Sequence, residues 1–178
     1  MVGANPQTKT AQVATCKLLK APLIETTVRR RISSPPHINH YVDRDTGSVA
    51  VKRLVVALDC GPISNPNGVK NQAEGGALHG MSRALMEEVT WDAEKVTSVD
   101  WLTYRTFPVG FKVPTIEVVL INQFDVEANG AGETSITVTA PAIGNAIFDA
   151  TGVRIRELPF TPARIKAALS AASHGAAK

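Results

Sequence analysis

The sequence predicts an α+β fold, a mixed sheet with packed helices, and three observations carry that expectation. Residues 115–121, Thr-Ile-Glu-Val-Val-Leu-Ile, are β-branched and apolar enough to read as a strand. Val69, Ala73, Ala77, Met81, Ala84 and Leu85 recur at three- and four-residue spacing, the apolar stripe of a helix. A second, alanine-rich run over residues 139–150 ends at Gly152, a natural helix stop. With 178 residues and 44% hydrophobic content, the chain has enough apolar material for one core.

In order, residues 1–36 read as an irregular, basic N-terminal segment closed by Ser33-Ser34-Pro35-Pro36, a strong breaker. Residues 37–170 form the folded part and residues 171–178 a frayed tail. Residues 38–42 lead into a turn-forming cluster at 43–47. Val49 and Val51 then alternate with their neighbours and Val55-Val56-Ala57-Leu58 follows, a hairpin whose second arm enters the core. Asp59-Cys60-Gly61-Pro62 ends that strand, and Asn65-Pro66-Asn67-Gly68 makes another turn before a helix over about residues 69–87. Gly75, Gly76 and Gly80 lie inside this helix, each costing about 1 kcal/mol relative to alanine, so backbone or a cofactor packs close to it. Gln72 sits one turn before Gly76, either reaching over the glycine patch or facing solvent beside a helix–helix contact. Residues 91–95 turn between two short extended pieces, and 104–114 form a loop with Pro108, Gly110 and Pro114. Thr139 caps the alanine-rich helix with Pro141 in its first turn. Val153 and Ile155 then form a short strand, with Arg154 and Arg156 on its other face, and Thr161-Pro162 starts a last helix to about Leu169.

The net charge of +3 is unevenly placed: residues 1–33 hold six basic side chains against Glu25, and the remainder has a net charge of −2. The basic character is local, which argues against a nucleic-acid-binding body. No apolar run reaches the roughly 18 residues of a membrane span, and no signal peptide is recognised, which leaves the compartment, periplasmic or cytoplasmic, open. Cys16 and Cys60 cannot supply the four thiolates of an iron–sulfur or structural zinc site. His37, His40, His79 and His174 show no metal-ligand spacing with them.

The remaining candidate is Gly130-Ala131-Gly132-Glu133-Thr134-Ser135. Glycines let backbone approach another object closely, and a carboxylate behind them can be pressed against a ligand. By spacing alone this pattern usually marks an ordinary loop carboxylate.

The order of these pieces carries more than any one of them. Asp59-Cys60-Gly61, Asn65-Pro66, Gln72-Ala73-Glu74-Gly75-Gly76, the 114–120 strand, Gly130-Ala131-Gly132-Glu133, Ile143-Gly144-Asn145-Ala146 and Leu158-Pro159 with Thr161-Pro162 follow one another. Over about residues 38–170 this resembles the C-terminal end of the molybdenum-cofactor-binding large subunit of the xanthine dehydrogenase/aldehyde oxidase family. The isoquinoline 1-oxidoreductase and membrane-bound aldehyde dehydrogenase type is the most similar. Residues 1–36 do not fit the family.

The resemblance implies an oxidoreductase that hydroxylates an aldehyde or N-heterocycle with water as oxygen source. It implies a molybdenum–molybdopterin cofactor, in bacteria usually as a cytosine dinucleotide, held through the pterin and not by protein side chains on the metal. Glu133 matches the general base, which takes a proton as water-derived oxygen reaches an electrophilic carbon and works best in a dry pocket. Gln72 matches the amide contact to the pterin, and Gly132 the loop that brings the glutamate to the metal. Thr134 and Ser135, shortly ahead of a helix, are candidate donors to the anionic cofactor.

As partners the resemblance implies the remaining molybdenum-binding domain or subunit, a 2Fe–2S small subunit and cytochrome c. Nucleic acid and membrane insertion are not among its implications. Family large subunits are several times longer and grip the cofactor between two large domains, so this stretch is expected to be incomplete as a stand-alone enzyme. Three readings stay open: a segment working with a partner that supplies the rest, a truncated and inactive gene product, or a non-catalytic binding module.

Overall fold

In this computed structural model the described residues are 24–25 and 40–175. Two parallel strands and the helix that joins them make the frame: β4 (Arg53–Asp59), α1 (Pro66–Leu85) and β5 (Thr115–Ile121). β4 and β5 pair in register from Arg53 opposite Thr115 to Asp59 opposite Ile121. On the far side of β4, β1 (Ile24–Glu25) adds antiparallel, Ile24 opposite Leu58, so the sheet is mixed in the order β1-β4-β5. A separate hairpin pairs β2 (His40–Val42) with β3 (Val49–Val51). Helices α2 (Thr134–Thr151) and α3 (Pro162–Gly175) complete the order.

The period-two pattern of β4 turns Leu54, Val56 and Leu58 into the core, and Ile116, Val118 and Leu120 of β5 pack against it. The stripe predicted for α1 covers them with Ala73, Ala77, Met81 and Ala84, and α2 adds Ile143, Ile147 and Ala150. Each fully buried large side chain here, Leu58, Met81, Ile143, Ile147 and Ile165 among them, contributes about 1.5–3 kcal/mol. On the opposite face of the sheet, Arg53 Nε donates to Glu117 Oε1 at 2.7 Å across the parallel pair.

The α+β expectation and the 115–121 strand match the structure, and several boundaries differ. The predicted second hairpin arm is two strands, because the chain leaves one sheet at Lys52 and enters the other at Arg53. The turn at residues 65–68 is the cap of α1: Asn65 Oδ1 accepts from Gly68 N at 2.9 Å, and Pro66 occupies a first-turn position that needs no N–H.

Helix α2 begins at Thr134, and Thr139 is no cap but a buried interior residue whose hydroxyl donates back to the Ser135 carbonyl at 2.7 Å. Pro141 therefore lies inside the helix. Gly152, at φ 77°, closes it as expected. Residues 153–156 are not a strand. Arg154 instead lies 4.0 Å over the Phe148 ring and donates to Asn145 Oδ1. Helix α3 continues to Gly175 and does not end near Leu169, so most of the expected tail is helical. Within residues 1–36 only β1 is described, and it is a strand rather than irregular. Cys16, Arg29-Arg30-Arg31, the 33–36 breaker and His37 lie outside the described residues.

Candidate functional site

Both parallel strands release the chain at the same end of the sheet, and the loops there meet. Asn129 N donates to Cys60 O at 2.9 Å, and Ile63 N donates to Asn122 Oδ1 at 2.9 Å. Gly61 has φ 76°, and a Cβ on it would lie 2.5 Å from the Glu127 carbonyl oxygen, so only glycine fits where the two loops cross. This contact fixes the course of residues 122–133 between β5 and α2. Sequence reasoning read Gly61 as a strand end; the crossing loop that confines it lies far away in sequence.

Loops at the C-terminal ends of parallel strands are the usual ligand-facing end of such a unit. Here they bring Gln72, Gly132 and Glu133 together. Gln72 Nε2 donates to Gly132 O at 3.3 Å, tying α1 to the loop one residue before Glu133. Glu133 is the N-cap residue of α2, but its carboxylate makes no capping bond; it is exposed. The dry pocket expected around it is not formed by the described residues. The N–H of Ile136 is bonded to Glu133 O, while those of Thr134 and Ser135, at the start of the helix, have no backbone partner among the described residues.

The glycines of α1 resolve the open question about the helix. Gly76 and Gly80 face α2: a Cβ at Gly76 would lie 2.2 Å from Ser135 Oγ, and one at Gly80 would lie 2.8 Å from the Ile136 carbonyl oxygen. Gly75 meets nothing within 4 Å. The close packing is thus a helix–helix contact, and Gln72 nevertheless has a partner.

The side chain of Ser135 is not turned toward a ligand. It is 2% exposed and packed in this seam, and both its hydroxyl and that of Thr134 are buried without a hydrogen-bond partner among the described residues. The donor role expected of Ser135 is open only to its backbone N–H.

Gly130 has nothing within 4 Å of an added Cβ, and at Gly132 only Gln72 Nε2 comes near, at 3.8 Å. Among the described residues, the backbone rim at Gly130 and Gly132 is therefore open to close approach. The N–H groups at the start of α2, the Gln72 amide and this open glycine backbone suit a polar, anionic ligand. Among the described residues no group of three His, Cys, Asp or Glu side chains converges as a metal site. Cys60 is buried with a free thiol, pushed up from its ordinary value by burial and then by Asp59. His79 lies away from this rim, in a groove with Leu78, Ser82, Arg83 and Tyr104. There the Tyr104 hydroxyl donates to Glu87 Oε2 at 2.8 Å, which with burial holds the phenol above its usual range.

Residues 40–120 match the model of a molybdopterin cofactor-binding domain. Over 136 residues the chain is 43% identical to one of the subunits of nicotinate dehydrogenase from Pseudomonas putida, a match covering 75% of this chain and 11% of that protein. Over 123 residues it is 33% identical to the beta subunit of isoquinoline 1-oxidoreductase from Brevundimonas diminuta, covering 69% of this chain and 16% of that one. The fold is similar to aldehyde oxidoreductase from Desulfovibrio gigas, with a TM-score of 0.62 and 31% identity over 74% of this chain and 15% of the other. The chain spans about a tenth to a sixth of the length of these relatives. Fold, strand-end loops and sequence agree, and the chain belongs to the xanthine dehydrogenase/aldehyde oxidase family of molybdenum-binding subunits.

Proposed function

We propose that this chain forms one wall of the active site of a molybdenum-dependent oxidoreductase, acting on an aldehyde or an N-heterocycle with water as the oxygen source. The observation that carries the reading is the tie between Gln72 and Gly132, which sets Glu133 at the open start of α2. Molybdopterin, as a cytosine dinucleotide, would supply the redox chemistry when bound. The Gln72 amide and the N–H groups at the start of α2 would hold and orient its polar and anionic atoms. Gly130 and Gly132 let it lie close to the backbone. The Glu133 carboxylate accepts the proton released as the substrate carbon gains oxygen, acting as general base. Relatives named for nicotinate, isoquinoline and aldehydes support a substrate with an electron-poor carbon.

A carboxylate does this work best where water is excluded, and Glu133 is exposed here. The opposite wall therefore comes from the remaining molybdenum-binding domain or subunit. A 2Fe–2S subunit, with cytochrome c beyond it, carries the electrons away. Without that wall the chain is catalytically silent.

The test is Glu133→Gln in a molybdenum-loaded enzyme that contains these residues. Turnover should fall by about 10²-fold or more, the scale of lost general base catalysis, with the cofactor retained. Near-normal turnover would remove Glu133 from the role.

A further inference from the structure

The contact between Gly76 and Ser135 does more than pack two helices. Gln72 stands one turn before Gly76 on α1, and Gly132 stands three residues before Ser135 at the entry to α2. The distance between the helices at this point therefore sets whether Gln72 reaches the Gly132 carbonyl. That bond is 3.3 Å long, near the outer limit of a useful hydrogen bond, so it has little room to stretch.

A Cβ at Gly76 would stand 2.2 Å from Ser135 Oγ, more than about 1 Å inside ordinary van der Waals separation. The same Cβ would be 3.5 Å from the Ser135 Cβ, which is normal contact. The conflict is thus with one oxygen atom. That oxygen is buried and has no hydrogen-bond partner among the described residues, an arrangement that costs stability. One turn further on, Gly80 lies against the backbone at Ile136, so the two helices are closely apposed over successive turns. Gly75, adjacent to Gly76, faces open space and takes no part.

We propose that Gly76 is a positioning residue: the missing Cβ where it meets Ser135 permits the spacing of α1 and α2 at which Gln72 holds Gly132, and so places Glu133. The purpose of this spacing rests on the role given to Glu133 above; the spacing itself does not.

The experiment uses the full 178-residue chain and reads the Gln72 side-chain amide signal by NMR, with thermal unfolding in parallel. Gly76→Ala should displace or broaden that signal and lower the melting temperature. Ser135→Ala should leave the signal in place with an equal or higher melting temperature. The double variant should return both towards the starting values, since the offending oxygen is gone. Gly75→Ala, a helix-propensity control, should leave the amide signal where it is. A Gly76→Ala protein that folds with an unmoved Gln72 signal would overturn the proposal, as would a Gly75→Ala shift of equal size. If Gly76→Ala does not fold, the double variant decides: a folded protein with the native Gln72 signal supports the proposal, and any other result refutes it. Failure here would leave the proton-accepting role of Glu133 standing. Conversely, an active Glu133→Gln enzyme would leave the spacing intact but without that purpose.

Discussion

The seam between α1 and α2 and the stretch between α1 and β5 draw on similar apolar material and end in opposite states. In the seam, Ala77, Met81 and Ile143 are fully buried. In residues 86–114, Trp91, Val99, Trp101 and Leu102 are 72–83% exposed. That stretch keeps its shape by local polar turns instead: Asp92 accepts from Glu94 N and Lys95 N, and Asp100 accepts from Leu102 N and Thr103 N. The chain thus completes its own core without completing its own surface. Exposed aromatic and aliphatic side chains in such number agree with the second wall proposed above. Phe124 and Val126, in the loop that leads to Glu133, belong to the same uncovered set. Glu133, at the end of that loop, is exposed as well.

The contrast is sharpest in the core. Met81→Ala or Leu58→Ala should cost about 2–5 kcal/mol in chemical denaturation, since each leaves a cavity in a closed interior. A loss below about 1 kcal/mol would mean that the seam is not the packed region described. Gly80→Ala comes next, at about 1–3 kcal/mol, because the new methyl group meets the Ile136 backbone and the Thr139 Cβ, neither the far end of a flexible side chain.

A smaller, pH-dependent effect belongs to the ion pairs at the margins. The Arg164 guanidinium bonded to Glu88 holds that carboxyl below its ordinary value of 4.5, and Arg53 does the same for Glu117. A lowered folded value means stability that is present above the unfolded pKa and lost as pH falls through the folded one. The melting temperature should therefore drop as pH falls below about 4.5, and Glu88→Gln should flatten part of that decline. An unchanged acid limb in Glu88→Gln would show that the pair does not join α3 to the end of α1. Smallest of all, Trp101→Ala should change stability by less than about 0.5 kcal/mol despite removing the largest kind of side chain. A core-sized loss at Trp101 would erase the distinction between the two regions.

What could be read from sequence follows the range of the forces involved. The α1 stripe and the β5 strand are local periodicities, and both appear in the structure where they were expected. Local chemistry also misled, when two rules competed. Asn65-Pro66-Asn67-Gly68 satisfies a turn and a helix cap equally, and the helix took it. Pro141 after Thr139 imitates a helix start. Yet Ser135 and Val138 continue the buried face of α2 one turn upstream, and burial outweighed the proline.

The family was legible as an order of motifs, and the geometry of the candidate site was not. Nothing near Gln72 in sequence points to Gly132, and nothing near Ser135 explains why it is buried unpaired. Both facts arise where α1 and α2 cross, a contact between distant parts of the chain. The glycines of α1 were the local hint: Gly76 and Gly80 signalled close approach without naming the neighbour, and Gly75 meets nothing.

If this chain provides one wall of a molybdenum-cofactor site, it needs another to close it. Metal analysis decides the matter, by molybdenum content per chain, for the chain purified alone and for the chain purified with the remaining molybdenum-binding portion. Far less than one molybdenum per chain is expected alone, and about one per assembly. One molybdenum per chain in the protein alone would show that no second wall is required.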